Sequence, residues 1–377
     1  MHESAVKSSE GLARWPAVFL SPVLILSQFS QAQWTATNLR PVDASLSFAY
    51  GTSNGQEAGF TIIGVSFHAG LWSGTPDSWI DLNPPGASES RALGTNGSQQ
   101  VGRATVNGTY SAILWSGQAE SWVNLNPSGS TDSAAYAVNG AHQAGYATPE
   151  GTHHAALWSG SPQSWVDLNP LGANSSEVRN ADYEHQAGFA SIGGAIHAGF
   201  WQGTADSWVD LNPVVASQSY AYGVRGGQQV GDTLLDGVDH ASLWNGNAGS
   251  WVDLGPIGSD ASVGFDTDGA QQVGDTVIGG YGHASLWSGT AASWIDLHEF
   301  LPSYYYSSSA RSIWSDSKFT YVAGYATREG GSDAFLWSHE IPEPTLSWLV
   351  AAIAIKRPRR RLASRSARLV RYTSTST

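Results

Sequence analysis

The chain has 377 residues, of which only 13% are charged, with 43 glycines, 17 tryptophans, one methionine and no cysteine. This profile excludes a disordered chain, which needs more charge and fewer aromatics, and a helical one, which needs more Ala, Leu, Glu and Lys; without cysteine there is no disulfide, thiolate metal site or cysteine nucleophile. Net charge is −13, yet eight of the 18 basic residues lie between Lys356 and Arg371, so the middle of the chain is strongly acidic and repels a nucleic-acid partner.

Residues 1–32 have the pattern of a secretory signal. Lys7 and Arg14 stand ahead of an apolar run from Trp15 to Phe29, and Ser30-Gln31-Ala32 places small residues at both cleavage-defining positions. The run is short for a membrane span, so cleavage is expected after Ala32.

The first strand phrase is Ala36-Thr37-Asn38-Leu39, and from there one unit recurs through the body. A tryptophan closes a His-Ala-x-Leu-Trp-like phrase at Trp72, Trp115, Trp158, Trp201, Trp244, Trp287 and Trp337. The first five intervals are each 43 residues and the last is 50. A second tryptophan follows seven residues later at Trp79, Trp122, Trp165, Trp208, Trp251 and Trp294. A glycine keeps the same beat at Gly59, Gly102, Gly145, Gly188, Gly231, Gly274 and Gly324. Three independent markers in step establish a real repeat.

Each unit holds four short strand-like phrases separated by turn chemistry. In one copy they are Ser121–Leu125, Ala134–Val138, Gln143–Ala147 and His154–Trp158, with Asn126-Pro127, Asn139-Gly140 and Pro149-Glu150-Gly151 between them. In the last phrase Ala155 and Leu157 face one way and His154, Ala156 and Trp158 the other, so both faces are apolar or small, as in a sheet sandwiched between two neighbours. An alanine three residues before each closing tryptophan lets adjacent sheets approach. Four strands in 43 residues is the size of a propeller blade. The predicted fold is therefore all-β, a seven-bladed β-propeller of four-stranded antiparallel blades over 33–341. An open solenoid is the alternative, but it calls for atypical capping units and neither end has one. Strand order within a blade, and the strand that closes the ring, are left open by the repeat.

Residues that recur at one repeat position are expected to be structural, since seven equivalent places cannot form one active site. His68, His154, His197, His240 and His283 recur four residues before the tryptophan, with Ser111 and Asp333 in the other units. They are expected to tie neighbouring strands, and Ser111 breaks any metal ring. Asp81, Asn124, Asp167, Asp210, Asp253 and Asp296 are expected to bond turn amides. The informative residues break the pattern. The longer last unit carries Glu299, Phe300, Tyr304, Tyr305, Tyr306, Arg311 and Trp314 between Leu297 and Gly324. Tyr304, Tyr305, Tyr306 and Trp314 are the candidate ligand-binding residues, able to stack on a sugar or a partner protein; equally, this loop could pack over the closure between last and first units. Asp232, Asp236 and Asp239, and the pair Asp266 and Asp268, fit no complete calcium loop and read as surface charge. No catalytic motif is present, and neither a metal nor a cofactor is expected.

At the C-terminal end, Pro342-Glu343-Pro344 precedes an apolar stretch from Leu346 to Ile355 and then Lys356-Arg357-Pro358-Arg359-Arg360-Arg361. This order resembles the PEP-CTERM sorting signal of Gram-negative bacteria. The resemblance implies export through the inner membrane, recognition by exosortase-type machinery and delivery to the cell surface or matrix, with residues 342–377 as the signal. Arginines behind an apolar segment would hold it with its charge on the cytoplasmic side. The repeats, through His68-Ala69, His154-Ala155, His197-Ala198, His240-Ala241, His283-Ala284 and Asp333-Ala334-Phe335-Leu336-Trp337, resemble the extracellular HAF-repeat family across 36–339. That likeness implies an exported repeat protein and no known activity.

The function expected from the sequence is a non-catalytic exported module that binds or builds in the envelope or extracellular matrix. Its expected partners are the sorting machinery and exopolysaccharide or surface proteins, with membrane contact only through the terminal signals. The alternative is a carbohydrate-active propeller enzyme, a glycosidase or polysaccharide lyase, whose carboxylates would come from different blades.

Overall fold

The computed structural model of the chain describes residues 33–342. Ala32, Glu343 and Pro344 lie outside the described residues, as do the leader and tail to which they belong; Pro342 is the last residue described and is exposed.

Short strands and tight turns build seven antiparallel sheets of four strands, with 3-10 turns but no α-helix among the described residues. Each sheet begins with an inner strand: Ser47–Ser53, Ser90–Thr95, Ser133–Asn139, Ser175–Ala181, Gln218–Arg225, Ala261–Thr267 and Tyr305–Ser315. Consecutive inner strands contact one another all the way round, and the last contacts the first. The sheets are the blades of a closed seven-bladed propeller.

The outermost strand of each blade is the Trp-Val-Asp-like phrase, and it pairs backwards. Ile80 and Asp81 pair with Leu71 and Gly70 of the strand before them, rather than with the strand that follows. The repeat is thus phased by one strand relative to the order in which its phrases are met in the sequence. As a result the first phrase, Thr35–Asn38, has no preceding blade. It pairs antiparallel with Gly331–Glu340, Thr35 opposite Ser338 and Asn38 opposite Phe335, and becomes the outer strand of the last blade. The ends of the body lock together.

Three recurring devices hold the blades. All seven closing tryptophans are fully buried between sheets, as are the alanines three residues before them. The N–H of each such alanine donates to a serine hydroxyl at the start of the next inner strand: Ala69 to Ser90, Ala112 to Ser133, Ala155 to Ser176, Ala198 to Ser219, Ala241 to Ser262, Ala284 to Ser308 and, across the closure, Ala334 to Ser47. In four blades the hydroxyl in turn donates to an asparagine carbonyl, as Ser90 does to Asn83 at 2.6 Å. The third device is a bulge. Every inner strand shifts register three residues after its serine, as between Ala49 and Gly51, leaving one residue unpaired there; the last inner strand has a second shift at Tyr306. The beat glycine lies opposite; a Cβ at Gly59 would overlap the Phe48 carbonyl, so only glycine fits there.

The recurring histidines and aspartates act within each blade. Nδ1 of His68, His154, His197, His240 and His283 meets Oδ2 of Asp81, Asp167, Asp210, Asp253 and Asp296 at 2.7–2.9 Å, tying third strand to outer strand. The other carboxylate oxygen accepts a turn N–H, as from Asn83 to Asp81 at 2.7 Å. These are the structural roles expected from their recurrence.

Candidate functional site: the central channel

The bulged residues point the site out. At the bulge shared by all seven blades they are Tyr50, Leu93, Tyr136, Arg179, Tyr222, Phe265 and Arg311, and all seven line a chamber of about 550 Å³ on the propeller axis. A bulge turns an extra side chain out of the paired sheet, here toward the axis. The chamber opens on the face where inner strands turn into second strands, and its rim includes Asn54, Ser98, Asn139, Tyr183, Arg225 and Trp314. Its volume is within the ~300–1,000 Å³ usual for small-molecule sites.

The wall is a belt of aromatic rings and guanidinium groups. Arg311 lies 4.0 Å from the Phe265 ring centre and 5.0 Å from that of Tyr50, so it is held between the blades on either side of its own. Arg179 is placed likewise, 4.2 Å from Tyr136 and 5.8 Å from Tyr222. Such contacts fix a cation without neutralising it. Arg179 also donates to Glu177 at 3.1 Å.

The carboxylates around the chamber are occupied by protein donors. Asp266 accepts from Asn180, Thr267, Ser312 and Ile313 and so links inner strands of three blades. Burial pushes its pKa up to about 6. Burial likewise raises Asp275 to about 6, against the Arg311 charge and the bonds from Ser309 and the Ala310 N–H. Asp182 accepts the N–H groups of Glu184, His185 and Gly226, and Asp268 those of Ala270 and Gln271 and the Ser315 hydroxyl. Asp232 is a buried carboxyl raised to about 7 by burial and by Asp239, with Asp239 itself exposed and Asp236 in a left-handed turn. Among the described residues no three His, Asp or Glu side chains are arranged to hold a metal ion, and no helix is long and apolar enough to cross a membrane.

The four aromatic candidates do not form one surface. Trp314 is on the chamber rim, stacked on Tyr321 with ring centres 5.6 Å apart. Tyr304 and Tyr306 are at the other end of the same strand, roughly 30 Å away at about 3.3 Å per residue, with exposures of 62% and 49%. Tyr305 is only 3% exposed and its hydroxyl donates to Asp333 at 2.6 Å. It is a closure residue and is not available to a ligand, which corrects its place among the candidates. The sequence reading missed the bulge set. Its signal was present: three residues after the invariant serine, residue type changes from copy to copy yet stays aromatic or arginine in all but Leu93.

Fold and channel together define the class: a seven-bladed β-propeller with a chamber at its axis. No protein-family model and no curated protein matches the chain. Solved structures do match its fold. The β-propeller domain of the Trilobed protease from Pyrococcus furiosus, described as having an open velcro topology, aligns with a TM-score of 0.52 at 8% identity, covering 78% of this chain and 98% of that one. A puromycin-hydrolyzing peptidase of Mycobacterium tuberculosis aligns with a TM-score of 0.53 at 10% identity, covering 79% of this chain but 54% of its own, so this chain spans about half its length. A putative TolB from Agrobacterium tumefaciens aligns with a TM-score of 0.43 at 10% identity, over 83% of this chain and 99% of that one. At such identities the likeness concerns the fold alone.

Proposed function

We propose that the protein is a non-catalytic, exported binding module that seats a saccharide in the mouth of its central channel. One observation carries this reading. The closing tryptophan and the alanine three residues before it, packed between blades, are the same in all seven copies, whereas the channel wall carries four residue types in seven copies: three Tyr, two Arg, one Leu and one Phe. A wall needed only for packing would repeat as the tryptophans do; an asymmetric one suits an asymmetric ligand. The rim chemistry supports a sugar: Trp314 and Tyr183 offer flat apolar faces, and Asn139 offers an amide with no hydrogen bond to a described residue. The chamber carboxylates, bonded to backbone and hydroxyl donors, serve the propeller's own strands rather than acid–base chemistry, which favours binding over the glycosidase or lyase alternative. Export, sorting by exosortase-type machinery and residence on the surface of a Gram-negative bacterium belong to the same proposal and rest on residues 1–32 and 342–377.

The test is a glycan array on the full chain, followed by a reducing-end assay on every saccharide retained. Retention without new reducing ends is expected. Trp314→Ala and Tyr183→Ala should each weaken retention about tenfold, near the upper end of what one aromatic contact contributes. Tyr304→Ala and Tyr306→Ala should leave it unchanged. Loss through the latter pair would move the site to the opposite face, and new reducing ends would make the protein an enzyme.

A further inference from the structure

Arg311 is the unusual group in the chamber. It lines the cavity, is clamped between Phe265 and Tyr50 with the Tyr50 hydroxyl as a polar neighbour, and makes no ion pair to any described residue. An arginine carries five N–H donors in a planar fork and stays charged at any accessible pH. A guanidinium held rigid, partly desolvated and without an ion-pair partner leaves most of its donors to be filled from outside. The nearby acids do not fill them. Asp275 has one oxygen on the Ser309 hydroxyl and the other on the Ala310 N–H, and no carboxylate oxygen lies within 4.0 Å of Arg311. Asp266 and Asp268 are similarly engaged. Across the chamber, Arg179 spends part of its charge on Glu177, and the side chain of Arg225 stands exposed at the rim without an ion pair to a described residue. The carboxylates at the chamber are thus engaged by protein donors while Arg311 and Arg225 have no carboxylate partner, even though the body as a whole is acidic.

We infer that the channel ligand is acidic, and that Arg311 receives a carboxylate of a uronate-type saccharide in a two-pronged hydrogen bond. This rests on the channel being a saccharide site. The aromatic clamp explains why the position can specify: the fork is oriented before the ligand arrives, so little side-chain freedom is lost on binding. Electrostatic repulsion by the acidic surface would keep out long polyanions lying across the body, leaving a short segment or a chain end as the form that enters.

The experiment is titration calorimetry of the full chain with a size-fractionated pool of uronate oligosaccharides, and with the same pool after its carboxyl groups are reduced to alcohols. The acidic pool should bind, and the reduced pool should bind about tenfold or more weakly, the loss expected when a charged hydrogen bond is removed. Arg311→Gln should erase the difference between pools, and Arg311→Lys should keep part of it. Because Arg311 also packs between blades, a second variant leaves it in place: Leu93→Glu puts a carboxylate on the chamber wall two blades away and should weaken the acidic pool alone. Arg103→Gln, a cation over Tyr110 outside the chamber, should change neither. Equal binding of both pools to the unaltered protein would overturn the carboxylate inference and leave the saccharide site standing. Binding of neither pool would overturn both.

Discussion

Glu57 stands where five other blades carry Gln100, Gln143, Gln186, Gln229 and Gln272. In all six, a side-chain oxygen accepts the N–H of the glycine two residues after the buried tryptophan, at 2.8–2.9 Å. Glu57 alone is ionisable, and burial pushes its carboxyl above the usual 4.5 despite the bonds from Gly74 and its own N–H. A carboxyl whose folded pKa is raised favours the fold below the unfolded value and loses that contribution as pH rises through the folded one. Glu57→Gln should therefore stabilise the protein by about 0.5–2 kcal/mol at pH 8, a typical gain for a consensus change, and by almost nothing at pH 4. Urea titrations at the two pH values check it; an equal effect at both would deny the carboxyl any part. Asp232, near 7, and Asp266 and Asp275, near 6, act in the same sense. Stability falls as pH climbs from about 4 to 7 for Asp232 and from about 4 to 6 for Asp266 and Asp275, by at most about 1.4 kcal/mol per unit for each. At this scale the repeated residues were readable in the sequence, because recurrence itself marks a structural role. The variable position three residues after the serine was visible too, but not that it turns out of the sheet, because which residue leaves the sheet depends on pairing with the second strand.

Each blade is pinned to the next through one serine. Ser176 has its hydroxyl on the Ala155 N–H at 3.0 Å and on the Asn169 carbonyl at 2.6 Å, and is fully buried. Ser176→Ala would leave a buried donor and a part-buried acceptor unmatched, which costs about 1–3 kcal/mol. Equilibrium unfolding should show that loss, and Ser176→Thr should regain part of it. A change below 0.5 kcal/mol would mean that water replaces the latch. Strand content was legible at this scale, since turns and short apolar phrases are local signals. The phase of the blade was not. Any of four consecutive strands in an endless repeat makes the same pattern, and only the pairing of Asp81 with Gly70 rather than with later residues selects one.

For the whole molecule, the consequence of that phase is a closure made by the two ends of the body. Where five other blades have a histidine, the last has Asp333, 1% exposed, which receives Arg328, Tyr305 and Arg40 as well as Asn38. Burial alone would raise its pKa, but the Arg328 and Tyr305 bonds and the Arg40 charge hold it below the ordinary value. Leu39, fully buried, and Trp34, nearly so, enter the core from the same segment. Removing residues 33–40 from the chain exposes the edge of Gly331–Glu340, and an unpaired edge recruits other strands. The shortened protein should melt at a lower temperature and oligomerise in light scattering. An unchanged melting curve and a monomeric mass would show that the ring holds without its outer strand. Cleavage after Ala32 would leave this strand whole, because it begins at Thr35.

The count of blades, the all-β class and the structural character of the recurring His, Asp, Gly and Trp were set by the amino-acid order alone. A period of 43 residues repeats the same local preferences, and a small sheet with two greasy faces must be covered on both. What the tertiary structure decided was the cut between blades, the use of Thr35–Asn38 as the closing strand and the identity of the channel wall. Those depend on which strands meet across long separations, as Thr35 meets Ser338, and on where a bulge turns a side chain out of its sheet. Neither is written in any single phrase of the repeat.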